Sequence, residues 1–213
     1  MTQTKKKYIT LIIYCVCFYA IWALFVFRFE GTMFSLWSGI IKTVVWVLPA
    51  MLLVHRFRDS VQISLKEMFT TKVNLFEHLW VYAVLVIWVL LGGIFQPGGF
   101  SFVIELDSMI IVLFVGITEE MVFRGWLLNA TVDRMPQWLA IAINAILFLL
   151  IHFPRWISEG VFIGLITSFN FVGIIVLSVL FSHSFLKSRN ILIPVTMHML
   201  YDLMVFVLLP QVP

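Results

Sequence analysis

Seven long apolar runs constrain this chain more than any other feature. They cover residues 8–27, 34–54, 79–95, 109–128, 138–153, 161–186 and 191–209. A helix rises 1.5 Å per residue, so about 20 apolar residues cross about 30 Å of hydrocarbon. In that solvent an unpaired peptide group costs several kcal/mol, and a helix satisfies its own backbone. The fold expected is all-α, a polytopic transmembrane bundle of about seven helices, with roughly six to eight as the range. One membrane domain over residues 1–213 accounts for the whole chain, since no internal repeat or low-complexity tract divides it. Composition points the same way: 62% of residues are hydrophobic and 12% charged, with a mean hydropathy of +1.06. A soluble domain is about half apolar and about a quarter charged.

The segments between the runs add detail. Gln96-Pro97-Gly98-Gly99 reads as a turn, and Pro154 and Pro210 read as the ends of the fifth and seventh helices. The run 138–153 is short enough to be tilted or interior to the bundle. The run 161–186 contains Gly164, Asn170 and Gly173 and is expected to kink. Residues 55–77 mix Phe57, Val61, Ile63, Leu65, Met68 and Phe69 with charges, the pattern of an amphipathic segment in the membrane interface. Lys5, Lys6 and Lys7 precede the first run, which is too long for a signal peptide and lacks a small-x-small site, so it is read as a retained helix. Cys15 and Cys17 lie inside that run and are expected to act as small apolar groups rather than a disulfide or metal site.

The net charge of +3 carries no nucleic-acid signal, because the basic residues are scattered among short connectors without a basic face. They fit membrane topology instead. With the N-terminus in the cytoplasm, Lys5, Lys6, Lys7, Arg56, Arg58, Lys66, Lys72, Arg134, Lys187 and Arg189 lie inside, and Arg28 and Arg155 outside. The expectation is a multi-pass protein of the cell membrane, N-terminus cytoplasmic and C-terminus outside.

Charges within hydrocarbon cost at least about 2.5–3.5 kcal/mol each and need partners or a wet cavity. In the fourth run Glu120 and Arg124 are four residues apart, share a helix face and can pair. Glu119 is rotated about 100° from Glu120 and is left for acid–base chemistry. In the fifth run Asn144, Phe148 and His152 fall on one face; in the seventh, His198 and Asp202 do. Asn170 reads as a packing hydrogen bond, His183 as interfacial, and Lys42 as a lysine that snorkels. Each polar pair alone could be an interhelical clamp. Together, two acids, an arginine and two histidines on three apolar helices point to one buried polar chamber. A glutamate with a histidine can activate water, and a second histidine can stabilise an oxyanion. A proton-coupled carrier uses the same residue types, although no inverted repeat is visible. A non-catalytic immunity protein is a third reading.

The motifs Glu119-Glu120-x-x-x-Arg124, Phe148-x-x-x-His152 and His198-x-x-x-Asp202, in that order over about residues 105–206, resemble the three-motif signature of the CPBP family. That family, also called Abi, comprises CAAX proteases and bacteriocin-processing enzymes. The resemblance implies an intramembrane endopeptidase acting on a membrane-associated protein or peptide, either of CAAX type or a leader or bacteriocin. It implies that Glu119 and His152 activate water, that His198 and Asp202 stabilise the oxyanion, and that Glu120 and Arg124 support them. The third motif often ends in Asn; Asp202 can donate a hydrogen bond only when protonated. The resemblance favours a glutamate mechanism without a cofactor. Zinc on Glu119, His152 and His198 is the metalloprotease alternative, although no His-Glu-x-x-His motif is present. The partners implied are the substrate and the lipid bilayer, and no nucleic acid. One tension concerns depth: His152 falls near the outer end of its run, and Glu119 near mid-span.

Overall fold

The computed structural model describes residues 2–29, 35–96 and 98–210, so Phe34 at the start of the second run and Pro97 of the expected turn lie outside it. α1 (Gln3–Phe29) is one uninterrupted rod. α2 (Ser35–Lys42), a π-helical stretch (Thr43–Val47) and α3 (Leu48–Arg56) form a second. A strap carrying the short α4 (Leu65–Thr70) leads to α5 (Leu79–Phe95). α6 (Leu106–Glu120) continues through a second π-helical stretch (Met121–Leu128) into α7 (Asn129–Thr131). Then come α8 (Gln137–Leu150), α9 (Phe153–Ser158), α10 (Phe162–Thr167), α11 (Phe171–Ser188) and α12 (Leu192–Leu208).

This is an all-α membrane bundle of about the expected size. Four rods, Gln3–Phe29, Leu36–Arg56, Gln137–Ser158 and Phe171–Ser188, are long and apolar enough to cross a bilayer. α5 and α12 are shorter apolar helices. The seventh rod, α6 with its π-helical continuation, holds Glu119, Glu120 and Arg124. The interior is aromatic around Phe18, Trp22, Trp46, Phe123, Trp126 and Phe148. Phe18 and Trp46 meet at 4.9 Å and Phe123 and Phe148 at 5.0 Å, in the edge-to-face geometry their quadrupoles favour.

Two expectations change, and two segments gain detail. The run 161–186 is not one kinked span, because Phe169 adopts a left-handed conformation (φ 59°) and separates α10 from α11. Pro154 does not end the fifth helix. α8 stops at Leu150, and Pro154 sits in the first turn of α9, where its missing N–H cannot reach the Leu150 carbonyl. Donors from α1 hold the chain at this break: the Tyr19 hydroxyl donates to the Leu147 carbonyl, and the Trp22 indole N–H donates to the Ile151 carbonyl at 2.6 Å. The strap, expected as an amphipathic segment, turns its apolar side into the bundle. Ile63 and Met68 are fully buried, which stabilises by about 1.5–3 kcal/mol each. The Asn129 side chain brackets Ile63, accepting from its N–H at 2.8 Å and donating to its carbonyl at 2.7 Å. Ser64 and Glu67 form a capping box that starts α4. Lys7, one of the basic residues that open α1, is held inside the protein. It is fully buried, donating to Asp133 at 2.8 Å and to the Ser60 carbonyl at 2.6 Å.

The turn around Gly98 and Gly99 uses positive φ at both glycines, +96° and +65°, and Gly99 N–H donates back to the Gln96 carbonyl. Cys17 faces outward from α1 and Cys15 is half-buried; both are free.

Candidate active site

The polar residues meet because α6 approaches α12 closely. A Cβ on Gly116 would lie 2.6 Å from Met199 Cγ and 3.3 Å from the Val195 carbonyl oxygen, so only glycine permits this spacing without rearrangement. One turn further along α6 stands Glu120, and opposite it on α12 stands His198. Glu120 Oε1 accepts from His198 Nδ1–H at 2.8 Å and from Arg124 Nη1–H at 2.9 Å. Glu120 and Arg124 are both fully buried, and His198 is 6% exposed. The guanidinium also donates to the Ser178 carbonyl at 3.0 Å and its hydroxyl at 2.8 Å, and lies 4.5 Å from the centre of the Phe148 ring. This is a charged network in a dry interior, where breaking one partner leaves the other stranded. Among the described residues, Glu120 Oε2 and Arg124 Nε have no hydrogen-bond partner.

The i, i+4 pairing of Glu120 with Arg124 is therefore present as the sequence predicts. What the sequence does not reveal is the reach of Glu120 across to His198. At the other ring edge, His198 Nε2 is 3.5 Å from Asp202 Oδ2, too long for a strong hydrogen bond. That nitrogen consequently remains open to a third group.

His152 sits at the break after α8, in the N-cap position of α9. Its backbone N–H turns back to Leu149, and its ring Nδ1 takes up the Phe148 carbonyl at 2.9 Å. A carbonyl can only accept, so Nδ1 carries the proton and Nε2 of the neutral ring is the lone-pair nitrogen. The histidine is thereby fixed in one tautomer, with its accepting nitrogen on the edge away from its own helix.

Two cavities converge on these groups. The larger, of about 530 Å³, is lined by Trp88, Phe148, His152, Asn170, Leu177, Phe181, His198, Tyr201 and Asp202, among others. The smaller, of about 180 Å³, is lined by Trp22, Lys42, Glu119, Ile151, His152, Arg155, His198 and Asp202, among others. His152, His198 and Asp202 border both. Glu119 belongs to the smaller, half-buried and rotated away from the Glu120 network as helical geometry requires. The break after α8 resolves the difference in depth between His152 and Glu119: both face one space.

Two expectations about neighbours fail. Lys42 does not snorkel; its Nζ lies 4.3 Å from the Trp22 ring centre, within the cavity that holds Glu119. Asn170 lines the mouth of the larger cavity instead of bridging helices. His183 is exposed beside Trp80, with rings 6.3 Å apart, as an interfacial residue would be. The helix-bridging amide is Asn144, which donates to the Phe123 carbonyl at 2.8 Å and accepts from Ser182 at 3.3 Å. Ser178 and Ser182, the polar seam of α11, were missed. Their four-residue spacing in an apolar helix is the signal that could have found them.

For the zinc alternative on Glu119, His152 and His198, no group of three His, Cys, Asp or Glu side chains that could hold a metal ion is found among the described residues. The Nδ1 atoms of both histidines are engaged, one by Phe148 and one by Glu120, which leaves each ring its Nε2.

A family model described as type II CAAX prenyl endopeptidase Rce1-like matches residues 79–204, more than half of the chain, and spans all the polar residues above except Lys42 and Trp22. No curated protein matches the chain.

Proposed function

We propose, since this chain belongs to the type II CAAX prenyl endopeptidase Rce1-like family, that it is a multi-pass cell-membrane endopeptidase of glutamate type, cutting one peptide bond of a membrane-associated substrate. Family membership makes it a CAAX-type membrane protease; the roles of individual residues are our reading. The observation that carries that reading is the shared lining of the smaller cavity by Glu119, His152, His198 and Asp202.

In this mechanism a water in the smaller cavity gives its proton to the Glu119 carboxylate while accepting orientation from the His152 side. The hydroxide oxygen attacks the scissile carbonyl carbon, whose oxygen becomes anionic. Doubly protonated His198 has two donors: Nδ1–H is held by Glu120, and Nε2–H points to the oxyanion. Asp202, 3.5 Å from Nε2, keeps the ring edge aimed without capturing its proton. Collapse of the intermediate breaks the C–N bond, and Glu119 passes its proton to the leaving amine. Glu120 and Arg124 act as positioning residues, holding His198 from behind. No step uses a metal.

The test is Glu119→Gln. The carboxamide keeps the shape and removes the base, so turnover of a prenylated CAAX-type peptide by purified protein should fall by about 10²–10⁴-fold, with the melting temperature unchanged. Activity should survive a zinc chelator. Normal cleavage by the Gln variant would remove Glu119 from the mechanism, and chelator-sensitive cleavage would restore the metal alternative.

A further inference from the structure

The two cavities share the wall formed by His152, His198 and Asp202 but differ in charge. Among the described residues, the larger adds no lysine, arginine or further acid, whereas the smaller adds Glu119, Lys42 and Arg155. Packing places Lys42 there. α2 runs along α6, with Gly39 against the Phe114 ring, and Lys42 is the last residue of α2 before the π-helical stretch Thr43–Val47. Glu120 stands in the same place before the stretch Met121–Leu128. Such wide turns recur at functional sites. Aromatic faces surround the Lys42 ammonium: its Nζ lies 4.3 Å from the Trp22 ring centre, 5.4 Å from Trp46 and 6.0 Å from Phe25. The edge of the same Trp22 indole donates to the carbonyl of Ile151, the residue before His152, so one side chain fixes both Lys42 and the break that presents the histidine. Arg155 is exposed at the cavity rim, its Nε 2.7 Å from Glu159.

This difference gives the site a direction. In the mechanism above the leaving nitrogen takes its proton from Glu119, and Glu119 lines the smaller cavity but not the larger. The fragment after the scissile bond therefore lies on the smaller side, with the two cations. The fragment before it lies in the aromatic space of about 530 Å³. With His198 doubly protonated, as that mechanism requires, the described lining of the smaller cavity sets Lys42, Arg155 and His198 against Glu119 and Asp202, and one further carboxylate balances it. Charges attract more strongly in a partly dry cavity than in water. On the leaving side of a peptide, the group that is anionic whatever the sequence is the terminal α-carboxylate.

Resting on the peptidase reading above, we propose that the smaller cavity is a carboxylate subsite, in which Lys42, with Arg155 at the rim, binds the free C-terminal α-carboxylate of the substrate and of the released fragment. The ammonium supplies a compact charge inside the cavity, and the guanidinium supplies a planar fork at its edge. Lys42 is then a binding residue that confines cutting to bonds near a free C-terminus.

The test gives purified protein a farnesylated CAAX-type peptide in three forms: the free acid, the C-terminal amide, and an amide ending in glutamate. Wild type should prefer the acid to the amide by about tenfold to a hundredfold in kcat/KM, mainly through KM, the range for a hydrogen bond to a charged group. The amide ending in glutamate should gain nothing; if it matches the acid, the cavity reads a side chain and the proposal falls. Lys42→Gln should shrink the preference to within about threefold, and Lys42→Arg should keep most of it. A lysine with a structural role alone would slow acid and amide alike and leave the preference intact. That result, or a wild type without preference, overturns the proposal. Where Lys42→Gln folds poorly, Arg155→Gln at its exposed position decides: a lowered preference supports the proposal and an unchanged one overturns it. The same peptides with the scissile amide reduced to CH2–NH cannot be cut, and their Kd values should show the same preference for the acid. If wild type cuts none of the peptides, the peptidase reading fails for this substrate, while the ratio of Kd values for acid and amide still decides the carboxylate subsite.

Discussion

The costliest residue in the bundle is Arg124, because it is fully buried and answers three acceptors. Its planar fork divides between the Glu120 carboxylate and Ser178, which a lysine cannot reproduce. Arg124→Ala should destabilise by about 3–5 kcal/mol, since it strands Glu120 in a dry interior. Arg124→Lys should recover part of that stability and less of the activity, because Ser178 loses its donor. Thermal unfolding in detergent, set beside peptide turnover for each variant, checks both statements. The contrast with Glu119 is instructive. Two adjacent glutamates of identical chemistry are separated by 100° of helical rotation, so Glu120 faces His198 and Arg124 while Glu119 faces open space. Truncating Glu120 should therefore cost stability, and truncating Glu119 only catalysis.

At the level of elements, the spacing of α6 and α12 sets the Glu120–His198 distance of 2.8 Å. Gly116→Val should push the helices apart against the Val195 carbonyl and lower turnover by about tenfold or more, in line with the sensitivity of preorganised sites to shifts near 1 Å. Gly116→Ala should be milder, as the nearest atom belongs to the flexible Met199 side chain. The strap offers a pH-dependent element outside the membrane. Hydrogen bonding to the Ser64 backbone N–H, and then to Arg189, holds the Glu67 carboxyl below its usual range. A depressed value means that its stabilisation is complete above the ordinary glutamate pKa of about 4.3 and is lost as pH falls through the folded value. Proteolysis of the strap should thus accelerate below about pH 4, and Glu67→Gln should be equally susceptible at every pH. The effect should be small, because the side chain is 44% exposed.

For the whole molecule, a charged clamp ties α1, the strap and the turn before α12 together, apart from the polar groups that line the two cavities. Cutting the clamp with Lys7→Ala, which leaves Asp133 beside an emptied buried site, should lower the melting temperature while leaving the pH profile of cleavage unchanged, as measured on purified protein. The all-α membrane architecture was legible from the sequence, because hydrocarbon thickness and backbone satisfaction leave apolar runs of about 20 residues only one form. So was the Glu120–Arg124 pair, since a four-residue spacing is a local consequence of helical geometry. The contact of Glu120 with His198, the rotation of Lys42 into the Glu119 cavity, the burial of the strap and the division of residues 161–186 were not. Those depend on which helices touch, at what distance and with what breaks, and periodicity carries no information across helices. Apolar pattern determined that the chain enters the membrane; only packing decided which of its few polar groups would face one another inside it.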